Sequence, residues 1–423
     1  MTIGEYFKCP LCQETFCIKL QMDNTYKLYD WPIHISCPDC GNEMDLFFNA
    51  SGLQPTGLKC KEADECVTMG YSAVLPLTKN LYFQKLGLAG RMMASSPFMN
   101  LGMLYAKFDV TAAIGNWSRM LSHSLIPYRH YLKDLLPIVK HSPLNAKAFS
   151  AKLAQLCEAA NQKPMKSDVD CIDAFVGLHY ATYRNLTLDS YEASGMKQLY
   201  NQLTDYVEKA DVRQIEKMHQ AIEAVMDTKA WLMTEAFEIV SVIVNEIQLL
   251  LPSMFFPSIG YYVPPSGQEL YTMTVGYQKL DKWYADLFEA LVHILPFVVG
   301  LNNAMKNGDA DVFVVNGTQR SGALADFAKL NTAGRLTAIN QDAALKETYE
   351  PILNNHIRNA IQHSGVNYQV QTQIVEYHYD TTNNQEHDEF RLIDVGFMVY
   401  MQLLHLLEAI QLVANVNKRM REV

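Results

Sequence analysis

Two pairs of cysteines with identical spacing constrain the fold of this chain more than any other feature. Cys9 and Cys12 stand in KCPLC, and Cys37 and Cys40 stand in SCPDCG, with 24 residues between the two pairs. A C-x2-C turn presents two thiolates from one tight knuckle, and two knuckles supply the four ligands of a tetrahedral zinc ion. We therefore predict a zinc site made of these four cysteines. Its predicted role is structural, since four thiolates leave no position for a reactive water.

The segment 1–78 resembles a zinc ribbon. Short runs of β type alternate there with Cys-Pro and Cys-Gly turns, and a core this small needs a metal to hold it together. Cys60 and Cys66 form a looser C-x5-C pair whose role stays open. They form a second site with Cys17 or His34, replace one knuckle of the first site, or remain free thiols. The ribbon is acidic, so we expect it to contact a protein partner or the rest of the chain.

The distribution of charge and cysteine indicates the compartment and the partners. Most cysteines form close pairs, which in a reducing compartment indicate metal rather than disulfide. No stretch is typical of a membrane span and the first residues lack an export signal, so we expect a cytoplasmic protein without a membrane partner. Net charge is −10, but residues 79–152 hold ten Lys/Arg and two acids, which gives +8. A polyanion would bind there most favourably; the alternative is a set of solvated helix faces.

The hydrophobic pattern predicts a mainly α protein in three parts. Apolar residues recur at helical spacing from 79 to 250, and four prolines with two glycines interrupt the pattern at 251–268. We predict a zinc-ribbon β module at 1–78, a helical middle region at 79–265 and a helical bundle with a small β-hairpin at 266–423.

The C-terminal part contains five predicted elements. They are a long helix at 269–305 in which Pro296 predicts a kink, a helix at 341–363, a strand at 368–380, a turn at 381–390 and a closing helix at 392–420.

The stretch HIRNAIQHSG at 356–365 is the candidate catalytic site. Asn359 and His363 are four residues apart and share one helical face, and the long side chain of Arg358 can reach back toward them. Because His363 stands just before the helix ends at Gly365, the negative end of the helix dipole favours its protonated form. An imidazole can act as acid or base on a ribose hydroxyl, and a guanidinium can bind the scissile phosphate. These groups can cleave RNA without a metal cofactor.

The order of these elements resembles the C-terminal part of HEPN domains. A long helix, a helix ending in R-N-x3-H, alternating strands and a closing apolar helix cover about residues 266–423. The family motif is R-x4-6-H, carried here by Arg358 and His363. The resemblance implies an all-α bundle that forms a homodimer with two motifs in one cleft. It also implies a metal-independent endoribonuclease in which Arg358 and His363 are catalytic and Asn359 supports them.

One position departs from the pattern of a HEPN subgroup. That subgroup has a tyrosine two residues after the histidine, where this chain has Gly365, and Tyr368 is only a distant substitute. The resemblance implies a role in bacterial phage defence by abortive infection, or as a growth-restraining toxin. The implied partners are RNA, a second copy of the chain, and a phage trigger or an antitoxin protein.

Several alternatives remain open at this point. His363 could cap a helix while Arg358 pairs with a carboxylate such as Glu350, and His356 could be ordinary surface. The acidic and histidine-rich segment 375–390 could bind a divalent metal or form a solvated hairpin tip. The rival function is a non-catalytic zinc-ribbon and HEPN adaptor that binds a protein or nucleic-acid partner. No motif supports nucleotide hydrolysis or zinc proteolysis.

Overall fold

The computed structural model describes most of the chain, and its contacts divide the protein into two compact units. Unit 1 comprises Met1–Ser122, Glu246–Tyr284 and His356–Tyr400, and unit 2 comprises His123–Asn245, Ala285–Asn355 and Met401–Val423. The described residues are 2–21, 31–48, 59–60, 63–65, 73–78, 126–140, 145–156, 167–183, 195–250, 252–254, 272–315, 318–320, 323–379 and 386–421. The three contiguous domains predicted from the sequence stay a prediction.

The secondary structure is mainly helical, as predicted. The strands are β1 (Thr2–Lys8), β2 (Thr15–Gln21), β3 (Trp31–Ser36), β4 (Glu43–Phe48), β5 (Lys59–Cys60), β6 (Asp64–Glu65), β7 (Ala73–Thr78), β8 (Phe313–Val315), β9 (Thr318–Arg320), β10 (Val366–Gln369), β11 (Ile374–His378) and β12 (His387–Arg391). The helices are α1 (Ile126–Lys140), α2 (Ala146–Leu156), α3 (Asp168–Tyr183), α4 (Gly195–Lys209), α5 (Val212–Glu223), α6 (Thr228–Trp231), α7 (Phe237–Asn245), α8 (Tyr277–Asn307), α9 (Ala323–Lys329), α10 (Thr332–Ile339), α11 (Ala343–Tyr349), α12 (Asn355–Gln362) and α13 (Leu392–Met420). A π-helical segment covers Leu232–Ala236, and a 3-10 helix covers Ile247–Leu250.

The N-terminal strands of unit 1 form two small sheets. The first has the order β6-β1-β2-β7, with β1 antiparallel and β7 parallel to β2. The second is antiparallel and has the order β3-β4-β5. The sheets share an apolar core, in which the rings of Phe7 and Phe16 stack with their centroids 6.1 Å apart. The other buried side chains of this core are Cys9, Ile18, Leu20, Ile33, Ile35, Cys37, Met44, Leu46, Ala63 and Met273.

The β3–β4 hairpin contacts the C-terminal part of unit 1. The amide of His34 donates to the carbonyl of Met273 at 2.8 Å, so a segment distant in sequence pairs with the edge of β3. Gly41 faces Gln371, whose Cγ would lie 3.4 Å from a Cβ at the glycine. The acidic N-terminal segment therefore contacts other segments of unit 1.

A three-stranded antiparallel sheet lies in the C-terminal part of unit 1 and has the order β10-β11-β12. The predicted strand at 368–380 is two strands, because a turn at 370–373 places Gln373 at φ +54°. The predicted turn at 381–390 contains most of β12, whose sequence HDEFR shows no alternation of apolar and polar residues.

The helices also differ from the predicted bounds. α8 begins at Tyr277, later than predicted, and continues as a helix through Pro296. The predicted helix at 341–363 is divided into α11 and α12, because Pro351 has no amide hydrogen with which to continue the helical hydrogen bonds.

α8 and α13 are long and apolar enough to cross a membrane. The sequence patterns described above do not predict helices of this kind. The most apolar windows have mean hydropathies of 1.6 and 1.5, and 78% and 83% of their residues are buried in the protein. Two mostly buried helices of this kind are consistent with a soluble protein.

Candidate functional site

The two cysteine knuckles have the same backbone conformation. The amide of Gln13 donates to the carbonyl of Cys9, and the amide of Gly41 donates to the carbonyl of Cys37, both at 3.0 Å. Gln13 and Gly41 occupy equivalent positions and both have a left-handed backbone, with φ of +66° and +76°. Each knuckle therefore reverses direction in the same way after its strand.

The knuckles bring the four predicted cysteines together. All four sulfur atoms lie within 4.8 Å of one another. The Sγ atoms of Cys9 and Cys40 are 3.7 Å apart, and those of Cys12 and Cys37 are 3.6 Å apart. Four thiolates at about 2.3 Å from a central ion would be about 3.8 Å from one another in a tetrahedron. The cluster could therefore bind a metal ion.

Burial and backbone hydrogen bonds together give the cysteines of the cluster different pKa values. Burial raises the pKa of the Cys37 thiol well above its usual value. Burial also opposes ionisation of Cys9, but backbone hydrogen bonds from Cys12 and Leu11 lower its pKa to about 7. A bound divalent cation would favour the thiolate form of all four, because the thiolate is the metal ligand.

The other predicted ligands of the ribbon do not join this cluster. The ring nitrogens of His34 lie 2.9 Å from Asp45 Oδ1 and 3.2 Å from Glu43 Oε1. Cys17 is buried in β2 and lies outside the four-sulfur cluster. Cys60 lies in β5, but its side chain and the whole of Cys66 fall outside the described residues, so their role stays open.

The arginine–histidine motif lies at the C-terminal end of α12. The helix stops before Ser364-Gly365 as predicted, but Ser364 has the left-handed backbone, with φ +56°. The amide of Gly365 donates to the carbonyl of Ala360 at 2.7 Å, which is the long-range bond of a Schellman helix end. Gly365 also lies against β11, since a Cβ there would be 2.3 Å from the carbonyl oxygen of His378. The helix end is therefore anchored to the sheet.

The motif residues lie on the accessible side of α12. Ile357 is buried, whereas Arg358 and Asn359 are half-buried and His363 is exposed. A guanidinium nitrogen of Arg358 donates to the Asn359 side-chain oxygen at 3.2 Å. The alternative partner of Arg358, Glu350, forms a 3.8 Å ion pair with Lys346. The helix thus presents a cation, an amide and an exposed imidazole.

His356 lies on the same face as His363, two helical turns earlier. Its ring stacks on Tyr379 with the centroids 3.9 Å apart, and its Nδ1 is 3.3 Å from an oxygen of Asp388. His356 is exposed but held in place by these contacts, which sequence spacing alone could not reveal.

Cross-strand pairing brings together two histidines that the sequence separates by eight residues. His378 pairs with His387, with ring centroids 4.9 Å apart, and their Nε2 atoms lie 3.6 Å from Glu376 and 3.0 Å from Glu389. Hydrogen bonding, first from Asn367, lowers the pKa of Glu376. A metal site needs three or more His, Cys, Asp or Glu side chains close together. Among the described residues, the four-cysteine cluster is the one group that meets this condition. Asp380 lies outside those ranges.

The predicted basic region is 79–152. Its residues 79–125 and 141–144 lie outside the described residues. In the described part of that region, Arg129 donates to the carbonyl of Val244 at 2.7 Å, and Lys140 forms an ion pair with Glu238. Both side chains therefore have partners within unit 2.

Comparisons with models of known protein families, with curated proteins and with solved structures find no match. The fold and the site define a mainly helical protein with an N-terminal four-cysteine cluster that could bind a metal ion. The HEPN resemblance and the ribonuclease activity stay predictions.

Proposed function

We propose that the protein is a metal-independent endoribonuclease of the HEPN type that acts in bacterial phage defence or as a growth-restraining toxin. The observation that carries the proposal is the exposure of His363 at the end of α12, with Arg358 and Asn359 in the preceding turn. A motif buried by packing would have no access to RNA, whereas this arrangement leaves the imidazole accessible.

The chemistry requires one proton acceptor, one proton donor and a phosphate ligand. His363 takes the proton of a ribose 2′-hydroxyl, whose oxygen then bonds to phosphorus. Arg358 binds the phosphate and offsets the charge of the transition state. The bond from phosphorus to the 5′-oxygen breaks, and that oxygen receives a proton from the His363 of a second copy. The products are a 2′,3′-cyclic phosphate and a 5′-hydroxyl, and a homodimer supplies both histidines.

We also propose that the metal of the cysteine cluster is zinc and that its role is structural. Soft thiolate ligands in a tetrahedron favour zinc, and four protein ligands close the coordination shell. Zinc would hold the two knuckles together but would take no part in RNA cleavage.

The test measures cell viability and cellular RNA integrity on expression of the wild type, Arg358→Ala and His363→Ala. Arg213→Ala and His130→Ala are matched controls, since both residues are exposed helix positions outside the motif. We expect the wild type and the controls to cleave RNA and the two motif variants to leave it intact. Intact RNA with the wild type under every trigger tried, or undiminished cleavage by both motif variants, would favour the adaptor function instead.

A further inference from the structure

Unit 2 contains a cavity of about 320 Å³ that the ribonuclease proposal does not use. Its apolar wall is formed by Val176 of α3, by Leu232 and Met233, and by Ala414 of α13. Pockets for small molecules are typically about 300–1,000 Å³ and mostly apolar, with a few polar groups that orient the ligand. The size and lining of this cavity match that description.

The wall that contains Leu232 and Met233 is the π-helical segment. The amide of Phe237 donates to the carbonyl of Leu232 five residues earlier, so this turn holds more residues than an α-helical turn. Two consecutive side chains, Leu232 and Met233, line the cavity. π-helical turns are rare and are frequently found at functional sites.

Glu223 is the acidic group of the cavity, and its contacts fix its orientation. The backbone amide of Thr228 donates to Oε1 of Glu223 at 3.3 Å, and the hydroxyl of Thr228 donates to the same atom. Nε2 of His219 is 3.7 Å from that oxygen too. In the described part of the chain these contacts all go to Oε1, which leaves Oε2 able to accept a hydrogen bond from a bound molecule.

Two cationic side chains line the same cavity. Lys229 stands in the first turn of α6 and Arg421 follows the end of α13, and both are exposed. Together they exceed the negative charge of Glu223 by one, so the field at the opening favours an anionic group.

We propose that this cavity binds a small apolar anion that carries one N–H or O–H donor. The apolar body packs against Val176, Leu232 and Met233. The donor binds Oε2 of Glu223, and the anionic group interacts with Lys229 and Arg421. The site shares no residue with the α12 motif, so it stands independently of the proposed nuclease.

Three related compounds test the proposal by calorimetric titration of the full-length protein. Indole-3-acetate has an apolar ring, one N–H donor and a carboxylate. Indole lacks the carboxylate, and naphthalene-1-acetate lacks the donor. We expect indole-3-acetate to bind about tenfold more tightly than either relative, because each relative loses one polar interaction.

Variants assign each polar interaction to its residue. Glu223→Gln keeps the oxygen that accepts from Thr228 and replaces Oε2 by a donor. It should weaken indole-3-acetate about tenfold and leave naphthalene-1-acetate unchanged. Lys229→Ala and Arg421→Ala should weaken both acetates and leave indole unchanged. Lys418→Ala is the matched control, since Lys418 lies on α13 but does not line the cavity.

Ala414→Phe fills the cavity and should abolish binding of all three compounds, with thermal melting used to check that the variant folds. Equal affinities for the three compounds, or no binding of any of them, would overturn the proposal. So would unchanged binding by a folded Ala414→Phe variant. If that variant does not fold, the compound-specific effects of Glu223→Gln and Arg421→Ala still decide.

Discussion

The four-cysteine cluster and the α12 motif both lie at the end of a regular element, but they present their side chains in opposite ways. In the cluster, Cys9 and Cys37 are buried and the sulfur atoms face one another. In the motif, His363 is exposed on a helix end that Ser364 closes. A left-handed residue reverses the chain in both places. The same local device thus closes one site around its own ligands and leaves the other accessible to an external molecule.

The comparison explains why the two sequence signals differ in strength. Two C-x2-C turns specify four atoms that must meet, so spacing alone predicts the geometry. The spacing of Arg358 and His363 specifies part of one helix, and the reaction needs groups from a substrate and from a second copy. A closed site can be tested on the folded chain, whereas an open site needs its substrate.

The largest effect is expected for Cys37→Ser. A serine oxygen is not a thiolate ligand, and structural zinc contributes about 10–16 kcal/mol of apparent binding free energy in small zinc domains. We expect bound zinc to fall far below the wild-type content and β1 to β4 to lose protection against hydrogen exchange. Metal analysis and exchange mass spectrometry measure the two quantities.

Cys17→Ala is the matched control for this prediction. Cys17 is a buried cysteine of β2 outside the four-sulfur cluster. Its variant should keep the metal, so equal zinc loss in the two variants would show that the cluster is not the metal site.

His363→Ala should affect activity and leave stability almost unchanged. Loss of a general acid–base group typically slows a reaction about 10²–10⁴-fold. Because His363 is exposed, the free energy of unfolding should change by no more than about 0.5 kcal/mol. Initial rates on a fluorescent RNA and urea unfolding measure the two effects. His356→Ala is the comparison on the same face, and an equal rate loss there would contradict the special role of His363.

The sequence predicts best those features that depend on neighbouring residues. The two knuckles are local turns, and their spacing identifies all four clustered cysteines. The end of α12 is also local, because Ser364 and Gly365 stand within three residues of its last helical residue, Gln362. Backbone propensity and residue spacing act over a few residues, so these features can be predicted without knowledge of tertiary contacts.

Features that depend on distant pairing are not predictable in this way. β12 contains a single apolar residue, Phe390, so its sequence does not predict a strand, and it pairs with β11 along its whole length. The hydroxyl of Tyr377 donates to Asp281, which is 96 residues away, at 2.6 Å. The cavity likewise combines α3, α5 and α13. Only the folded chain brings such residues together.

Asp281 should make the free energy of unfolding depend on pH. Like the cysteine cluster, it places an ionisable group in the interior of unit 1. Burial raises the pKa of Asp281 from 3.8 to about 6, although the hydrogen bond from Tyr377 acts in the opposite direction. In the cluster a cation would compensate buried thiolates, whereas here a tyrosine hydroxyl is the described donor. A pKa raised from 3.8 to about 6 corresponds to about 3 kcal/mol. This is the net cost of ionising the buried carboxyl after the hydrogen bond from Tyr377 has offset part of the burial penalty.

The direction of this pH dependence follows from the proton that the folded protein binds. Between about pH 4 and pH 6 the folded protein binds a proton at Asp281 that the unfolded chain does not. The contribution of Asp281 to the free energy of unfolding should therefore rise as the pH falls through this range. Urea unfolding of the wild type and Asp281→Asn measures it, since the asparagine cannot titrate. Parallel pH profiles for the two proteins would contradict the assigned burial of charge.

The smallest effects are expected at the end of α12, where two adjacent substitutions should have opposite signs. Gly365→Ala places a Cβ against the His378 carbonyl oxygen, 2.3 Å away, and should cost about 1–3 kcal/mol of unfolding free energy. Ser364→Gly relieves a side chain at φ +56° and should stabilise by up to about 1 kcal/mol. Urea unfolding compares both with the wild type. If Gly365→Ala is neutral, the helix end is not anchored to β11, and the structure no longer explains how a site open to solvent holds His363 in place.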